Sequence, residues 1–508
     1  MFILFVFGTL LVIYFIHQKR RQAKLPPGPP RLPFIGNLHQ APKDAAWVTF
    51  SQWVEKYGPL VSADFGGTNV IIIGDYETAR DLLDKKGNIY SSRPRMVMAG
   101  ELTCGGMHIM LRPYDEEFLL HKRIEATLLS PRASACYTPI QDLESKTLLK
   151  NLLSTNDFPE QYERYSASIV YSLAYGFRIL TGEEWQAQAA HEVMKNFAYA
   201  GQVGTWIVDA LPILNYLPTP LAPWKKHAKR WYQFEEKLHM DNMREGLKRP
   251  GWNWSKDLGN AKEAQQLSNV ELAYDLGILV DAGVETTGVT IQCFTLACVA
   301  YPEWIPKAQK ELDDIVGEDR LPTFEDLERM PYIQAVVEEN FRWRHLVPAG
   351  VPHATTQDDY YKGYLIPKGS TIVPLFLAMR HDKKLFDSPS EFHPERWLNR
   401  AHVSNFGYGR RVCTGRFIAR RSVHLGIARL LWAFNIKSKD GKRPIVDESF
   451  FTAGFVSVPK PFEVVFEPRD DGRRKVIEQA YEDADKDLSN ILDKVREKQV
   501  TVGLSPRA

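Results

Sequence analysis

The sequence predicts a mainly α fold with a minor β region, built as one large domain, and three observations carry this. Apolar residues recur at helical spacing through most of the chain. Strand-like runs cluster near the N-terminus, at 61–65 and 70–73, and are bridged by Gly66-Gly67 as in a small hairpin. From about Phe34 onward no linker, low-complexity tract or internal repeat interrupts the sequence. The length of 508 residues would by itself suit several domains, but length is only a soft guide.

The elements follow in order. Residues 2–16 are an apolar run broken only by Gly8 and Thr9. At ~1.5 Å per residue it spans roughly 23 Å, a little short of a ~30 Å hydrocarbon core, and Tyr14, Phe15 and His17 extend it into the interface. Lys19, Arg20, Arg21 and Lys24 follow, which favours a cytoplasmic remainder. No basic residue precedes the run and no small-x-small site follows it, so a signal anchor fits better than a cleaved leader. Residues 1–24 are therefore read as anchor and basic flank. Residues 25–33, with five prolines, form a stiff extended hinge. Residues 34–470 form the main domain, and 471–508 a charged, solvated tail with a helical stretch at 475–498. Helices are expected at 47–57, 77–85, 143–153, 166–175, 183–199 and 224–247.

One further helix stands apart. Ser268-Asn269-Val270-Glu271 has the form of a capping box, and a mostly apolar stretch runs from it to Ala300, before Tyr301-Pro302. About thirty residues make roughly 45 Å of helix, apolar almost all round, so it should cross the middle of the domain. Within it lies Ala282-Gly283-Val284-Glu285-Thr286-Thr287. Gly283 lets something approach the backbone, and Glu285 beside Thr286 offers a carboxylate and a hydroxyl. The hexapeptide alone also fits a kinked helix whose hydroxyl bonds back one turn.

Composition narrows the function. The chain is 44% hydrophobic and 25% charged, with net charge +2, which suits a large core and argues against a nucleic-acid partner. Five cysteines with no Cys-x-x-Cys pair exclude a disulfide framework and a structural zinc site, and suit a reducing compartment. Cys293 and Cys298 read as small core residues. Cys413 differs. It lies in Phe406-Gly407-Tyr408-Gly409-Arg410-Arg411-Val412-Cys413-Thr414-Gly415-Arg416, a glycine-punctuated loop entering a helix. The positive end of that helix and its free N–H groups favour thiolate, the glycines admit a flat ligand, and Arg411 can meet an anionic substituent.

This segment resembles the cytochrome P-450 superfamily, whose loop pattern Phe-x-x-Gly-x-Arg-x-Cys-x-Gly is met at Phe406, Gly409, Arg411, Cys413 and Gly415. The family's central-helix pattern is met at Ala282, Gly283, Glu285, Thr286 and Thr287. Its Glu-x-x-Arg pair is met at Glu339 and Arg342, with Arg396 of Pro394-Glu395-Arg396-Trp397 as the third member of a structural trio. The resemblance covers the chain from the anchor to about Pro468. Where the family carries Trp-x-x-x-Arg toward a haem propionate, this chain has Phe118 and Lys122, so Lys122 could act only as a point charge. His353 stands where the family often places another propionate contact.

The resemblance implies a cytochrome P-450 fold, haem b ligated by Cys413, and oxygen activation with protons supplied through Glu285 and Thr286. It implies electrons from NADPH through a separate reductase, with cytochrome b5 as a second candidate donor. Arg410, Arg416, Arg420 and Arg421 are the expected docking cations. Anchor and resemblance together imply a single-pass endoplasmic reticulum protein with its catalytic domain in the cytoplasm. By family position, segments 96–107, 197–206, 278–282, 347–351 and 452–456 line a mostly apolar pocket, which implies a hydrophobic small-molecule substrate. The style of the 363–369 segment resembles fungal secondary-metabolism members and so implies a polyketide, alkaloid or terpenoid intermediate. Two rivals are a thiolate-haem isomerase or dehydratase, and a haem sensor or electron carrier; neither has need of Glu285 and Thr286.

Overall fold

The computed structural model describes residues 22–202, 204–400 and 403–504. The predicted apolar run 2–16 and the cations Lys19, Arg20 and Arg21 lie outside them. Helices dominate and the sheets are small, as the periodicity predicts. Packing divides the described chain into two compact units.

The first unit takes the chain up to Pro94, then Pro348–Asp382 and Tyr408–Arg411. Its sheet has the order β1-β2-β6-β3, with β1 at Leu60–Phe65, β2 at Thr68–Ile73, β3 at His353–Ala354 and β6 at Thr371–Pro374. β1 and β2 form the expected hairpin, paired from Leu60↔Ile73 to Phe65↔Thr68. Gly66 and Gly67 both take positive φ (64° and 97°), the twist that a two-residue hairpin turn demands. β6 joins β2 in parallel and β3 joins β6 antiparallel, so the sheet is completed by chain some 300 residues further on. Such pairing leaves no local pattern to read. A second hairpin joins β4 (Asp359–Tyr361) to β5 (Tyr364–Ile366). Ile71 and Ile73 are buried with Leu82, Tyr90 and Phe376, whereas Val70 and Ile72 are buried with Trp47 and Phe50. Alternate residues thus cover both faces of the sheet. The proline segment is tied to β1. Ser62 N–H donates to the Pro27 carbonyl at 2.8 Å, and Leu25, Pro26 and Pro29 are buried.

The second unit holds most of the helices. The long helix runs Asn269–Ala300, and both bonds of the Ser268–Glu271 capping box are made. It is long and apolar enough to cross a membrane, yet it is mostly buried and forms the core of this unit. Phe158–Tyr175, Trp224–Lys248 and Arg416–Ala433 pack against it. The expected helices at 143–153, 183–199 and 47–57 are found at Thr138–Leu152, Trp185–Ala200 and, in the first unit, Ala46–Tyr57. The 77–85 segment of the first unit instead splits into a single turn, Tyr76–Ala79, and a wider π turn, Arg80–Lys85. Glu116–Leu129 was not legible, because His121 and Glu125 on its buried face break the apolar period.

The solvated reading of the C-terminal stretch is corrected. Two helices, Asp471–Glu482 and Leu488–Thr501, bury Ile477, Ile491, Leu492 and Val495 in the main hydrophobic cluster of the second unit. Their charged residues occupy the outer faces, and composition alone hid the inner ones.

Candidate functional site

The cysteine segment is built by its own backbone. Cys413 N–H donates to the Phe406 carbonyl at 2.8 Å, closing the loop just before the helix Arg416–Ala433. The Arg416 guanidinium donates to the Cys413 carbonyl at 2.9 Å. The Phe406 ring meets Phe341 edge-on at 5.0 Å, which anchors the loop on the helix Pro331–Trp343. Cys413 keeps an exposed surface although protein atoms surround it closely. That enclosure pushes its thiol pKa up, while a bond from the Gly415 N–H and the charges of Lys122 and Arg416 pull it down. The helix start therefore acts in the expected direction but is outweighed by burial. A bound metal ion would deprotonate such a group outright. The other described cysteines are all buried, so Cys413 alone among them offers an accessible sulfur.

In the first unit, Gly409 takes φ 54° and a Cβ there would fall 2.1 Å from the Leu83 carbonyl oxygen. The neighbouring turn lies against this glycine. Arg411 Nε donates to the Ser91 carbonyl at 2.7 Å. Arg93, which sequence reasoning missed, donates to the carbonyls of Val351 and Pro352 at 2.9 and 2.7 Å. Burial and the nearby Arg411 push Arg93 well down. Two guanidiniums placed this way suit a dianionic group such as a pair of carboxylates. The His353 Nδ1 pairs with the Tyr90 carbonyl at 2.8 Å, and burial with Arg93 holds the ring well below its usual pKa. A contact of His353 with a carboxylate would therefore fall to Nε2.

Lys122 is also engaged elsewhere. Its ammonium donates to the Thr414 hydroxyl and lies 3.7 Å from Glu125.

The long helix places its hexapeptide on two faces. Ala282 is exposed in the middle of a mostly buried helix, and Glu285 and Thr286 are half-buried beside it. The Thr286 hydroxyl donates to the Ala282 carbonyl at 2.7 Å, the back-bonded form that the sequence left open. Burial raises the Glu285 carboxyl above its ordinary pKa, with His191 opposing. Gly283 faces the other way. A Cβ there would meet Val170 at 2.5 Å, and its carbonyl accepts from Ser166 Oγ at 2.8 Å. The helix Phe158–Tyr175 thus approaches the Gly283 backbone closely.

Glu339 and Arg342 form a fully buried pair, 2.7 Å apart, and Arg396 Nε joins Glu339 at 3.3 Å. Trp397 Nε1 also donates to Glu339, at 2.8 Å. This trio is scaffold: it ties the helix Pro331–Trp343 to the Pro394–Trp397 turn. Of the four expected docking cations, two are engaged at half-buried positions. Arg420 pairs with Glu338 and lies over Phe341, and Arg421 lies over Phe324. Phe197 meets Phe455 edge-on at 6.3 Å, which brings two of the expected apolar lining segments together. A cleft of about 620 Å³ lined by Thr138, Arg320, Arg429 and Lys498, among others, contains none of the predicted site residues.

In the second unit the accessible sulfur and the exposed Ala282 with its flanking acid and hydroxyl suit a thiolate-ligated haem, and in the first unit the Arg93–Arg411 pair suits anionic groups. Comparison with known proteins agrees. The sequence model described as Cytochrome P450 matches residues 26–466. Cytochrome P450 monooxygenase aneD of Aspergillus aculeatus is 40% identical over 93% of this chain and 93% of its own length. Cytochrome P450 monooxygenase drtD of Aspergillus calidoustus is 39% identical over 95% of this chain and 93% of its own. The echilunin cytochrome P450 monooxygenase of Aspergillus ruber is 36% identical over 96% and 92%.

Proposed function

The chain belongs to the cytochrome P450 family, and from that premise we propose that Cys413 is its axial iron ligand and that Glu285 and Thr286 serve its proton supply. It is a haem-thiolate monooxygenase that oxidises a small molecule. Haem iron with a thiolate ligand supplies oxygen activation, the sulfur's electron push favouring O–O cleavage. The observation that carries the ligand assignment is the accessible Cys413 sulfur at the end of a loop whose backbone is closed onto Phe406.

The protein's own residues divide the remaining work. Gly415 N–H holds the sulfur from one side. Arg411 binds the carboxylate edge of haem b, with Arg93 beside it and His353 as a further contact. Glu285, its carboxyl raised by burial, exchanges a proton near neutrality more readily than an exposed glutamate. Thr286 orients a hydrogen-bonding partner once it leaves the Ala282 carbonyl.

Electrons come from NADPH through a separate reductase, cytochrome b5 being a second donor. Arg410 and Arg416 are the cations proposed to meet an acidic partner face. The substrate is hydrophobic, and the Phe197 and Phe455 rings support that choice; a polyketide, alkaloid or terpenoid intermediate of fungal secondary metabolism fits. The chain is held at the endoplasmic reticulum membrane by residues 1–24. Exposed apolar side chains at Ile207, Leu211, Ile213, Tyr216 and Leu221 support a membrane-facing surface in the second unit.

The test is the carbon monoxide difference spectrum of the reduced protein beside Cys413→Ser. A strongly red-shifted Soret band in the wild type, lost in the variant, is the expected result. A histidine-type band in the folded wild type would refute the ligand assignment.

A further inference from the structure

The helix Glu116–Leu129 brings two charged side chains to the segment that carries Cys413. The Lys122 ammonium donates to the Thr414 hydroxyl, and that hydroxyl donates its own hydrogen to the Glu125 carboxylate at 2.9 Å. Glu125 is only 2% exposed. A carboxylate this deep is costly unless partners hold it, and here Thr414 and Lys122 do so. Thr414 is the residue next to Cys413. With its hydrogen committed to Glu125, the hydroxyl has none to give the sulfur, and the donor there is the Gly415 N–H. The charge on Lys122 is likewise fixed beside the ligand segment.

We propose that Glu125, held by Thr414 and Lys122, is a positioning residue that sets how strongly Cys413 donates to its metal and hence the metal's reduction potential. This rests on the haem-thiolate reading above. A buried charge is poorly screened by solvent and salt, so it acts over a useful range. A carboxylate near the ligand favours the oxidised, more positive metal and lowers the potential. The ammonium does the reverse. Groups beyond the direct ligand commonly tune metal sites in this way.

The two signs make the idea testable on the haem-loaded full chain. Spectroelectrochemical titration would compare wild type, Glu125→Gln, Lys122→Met and the double variant, with the carbon monoxide spectrum of each as a check on the thiolate bond. Glu125→Gln is expected to raise the potential, Lys122→Met to lower it, and the double variant to fall between them. An unchanged potential in Glu125→Gln with the thiolate band intact would overturn the proposal, as would both single variants moving the same way. Should Glu125→Gln not assemble, Thr414→Val asks the same question. It removes a donor from the carboxylate, leaves its charge less damped, and should lower the potential; no shift sinks the idea. A wild type without the thiolate band would instead defeat the functional reading itself, which is a separable outcome.

Discussion

Asp281 lies one turn before Glu285 on the long helix, and it is among the most perturbed acids of the chain. Burial pushes its carboxyl up to about 7, with His239 opposing and Glu235 adding. His239 Nε2 lies 3.6 Å from both carboxylates, too far for a direct hydrogen bond, and burial leaves that nitrogen without a protein partner. A folded-state pKa above the unfolded one gives stability that is full below about pH 4 and lost as pH rises through about 7. His239 is also raised, so its contribution has the same sign. Asp281→Asn should therefore flatten the decline in thermal midpoint between pH 4 and 7, measured on the haem-loaded protein. A slope equal to wild type would show that Asp281 does not carry it. At this scale the sequence displays what is local: Cys413, Glu285 and Thr286 stand in short patterns that can be read without the fold. Arg93, Glu125 and the His239 cluster were invisible because their partners are distant in the chain: Thr414 is 289 residues from Glu125.

Among the elements, the long helix shows how its glycines are used. A Cβ at Gly277 would meet the His239 ring at 2.1 Å, and one at Gly283 would meet Val170 at 2.5 Å. Each glycine gives up about 0.5–1 kcal/mol of helix stability relative to alanine, and close packing offsets it. Gly283→Ala should accordingly destabilise the protein by about 1–3 kcal/mol, against the gain that propensity alone predicts. Chemical denaturation of the haem-loaded protein decides between the two signs. The helix itself was legible from its capping box to its terminal proline, because both ends carry local chemistry. The partner strands of β2 were not, since β6 adds itself from a remote segment. Nor was the π turn Arg80–Lys85, whose sequence reads as ordinary helix and whose widened backbone is settled by packing.

Taken whole, the molecule is a haem-thiolate monooxygenase whose core is closed by its last described helices. Ile477, Ile491, Leu492 and Val495 each contribute roughly 1.5–3 kcal/mol by burial, against a typical net stability of about 5–15 kcal/mol. A chain ending at residue 470 should lose most of its soluble yield and several degrees of thermal midpoint. Unchanged yield and midpoint would return this stretch to the role of a solvated tail. Composition misled here because a charged amphipathic helix and a disordered charged segment have similar residue content, and only the spacing of four aliphatic side chains separates them.

The same two helices bear on how the protein is made. Residues 471–504 are translated after every segment that they cover. Until they emerge, the helix Thr138–Leu152 and its neighbours present the ribosome's surroundings with an open apolar trough. Domains acquire structure from the N-terminal side as synthesis proceeds, and uncovered troughs are where partly made chains stick to one another. Synthesis of this enzyme therefore includes an interval in which the segments that these helices cover exist but the core of the second unit is unsealed.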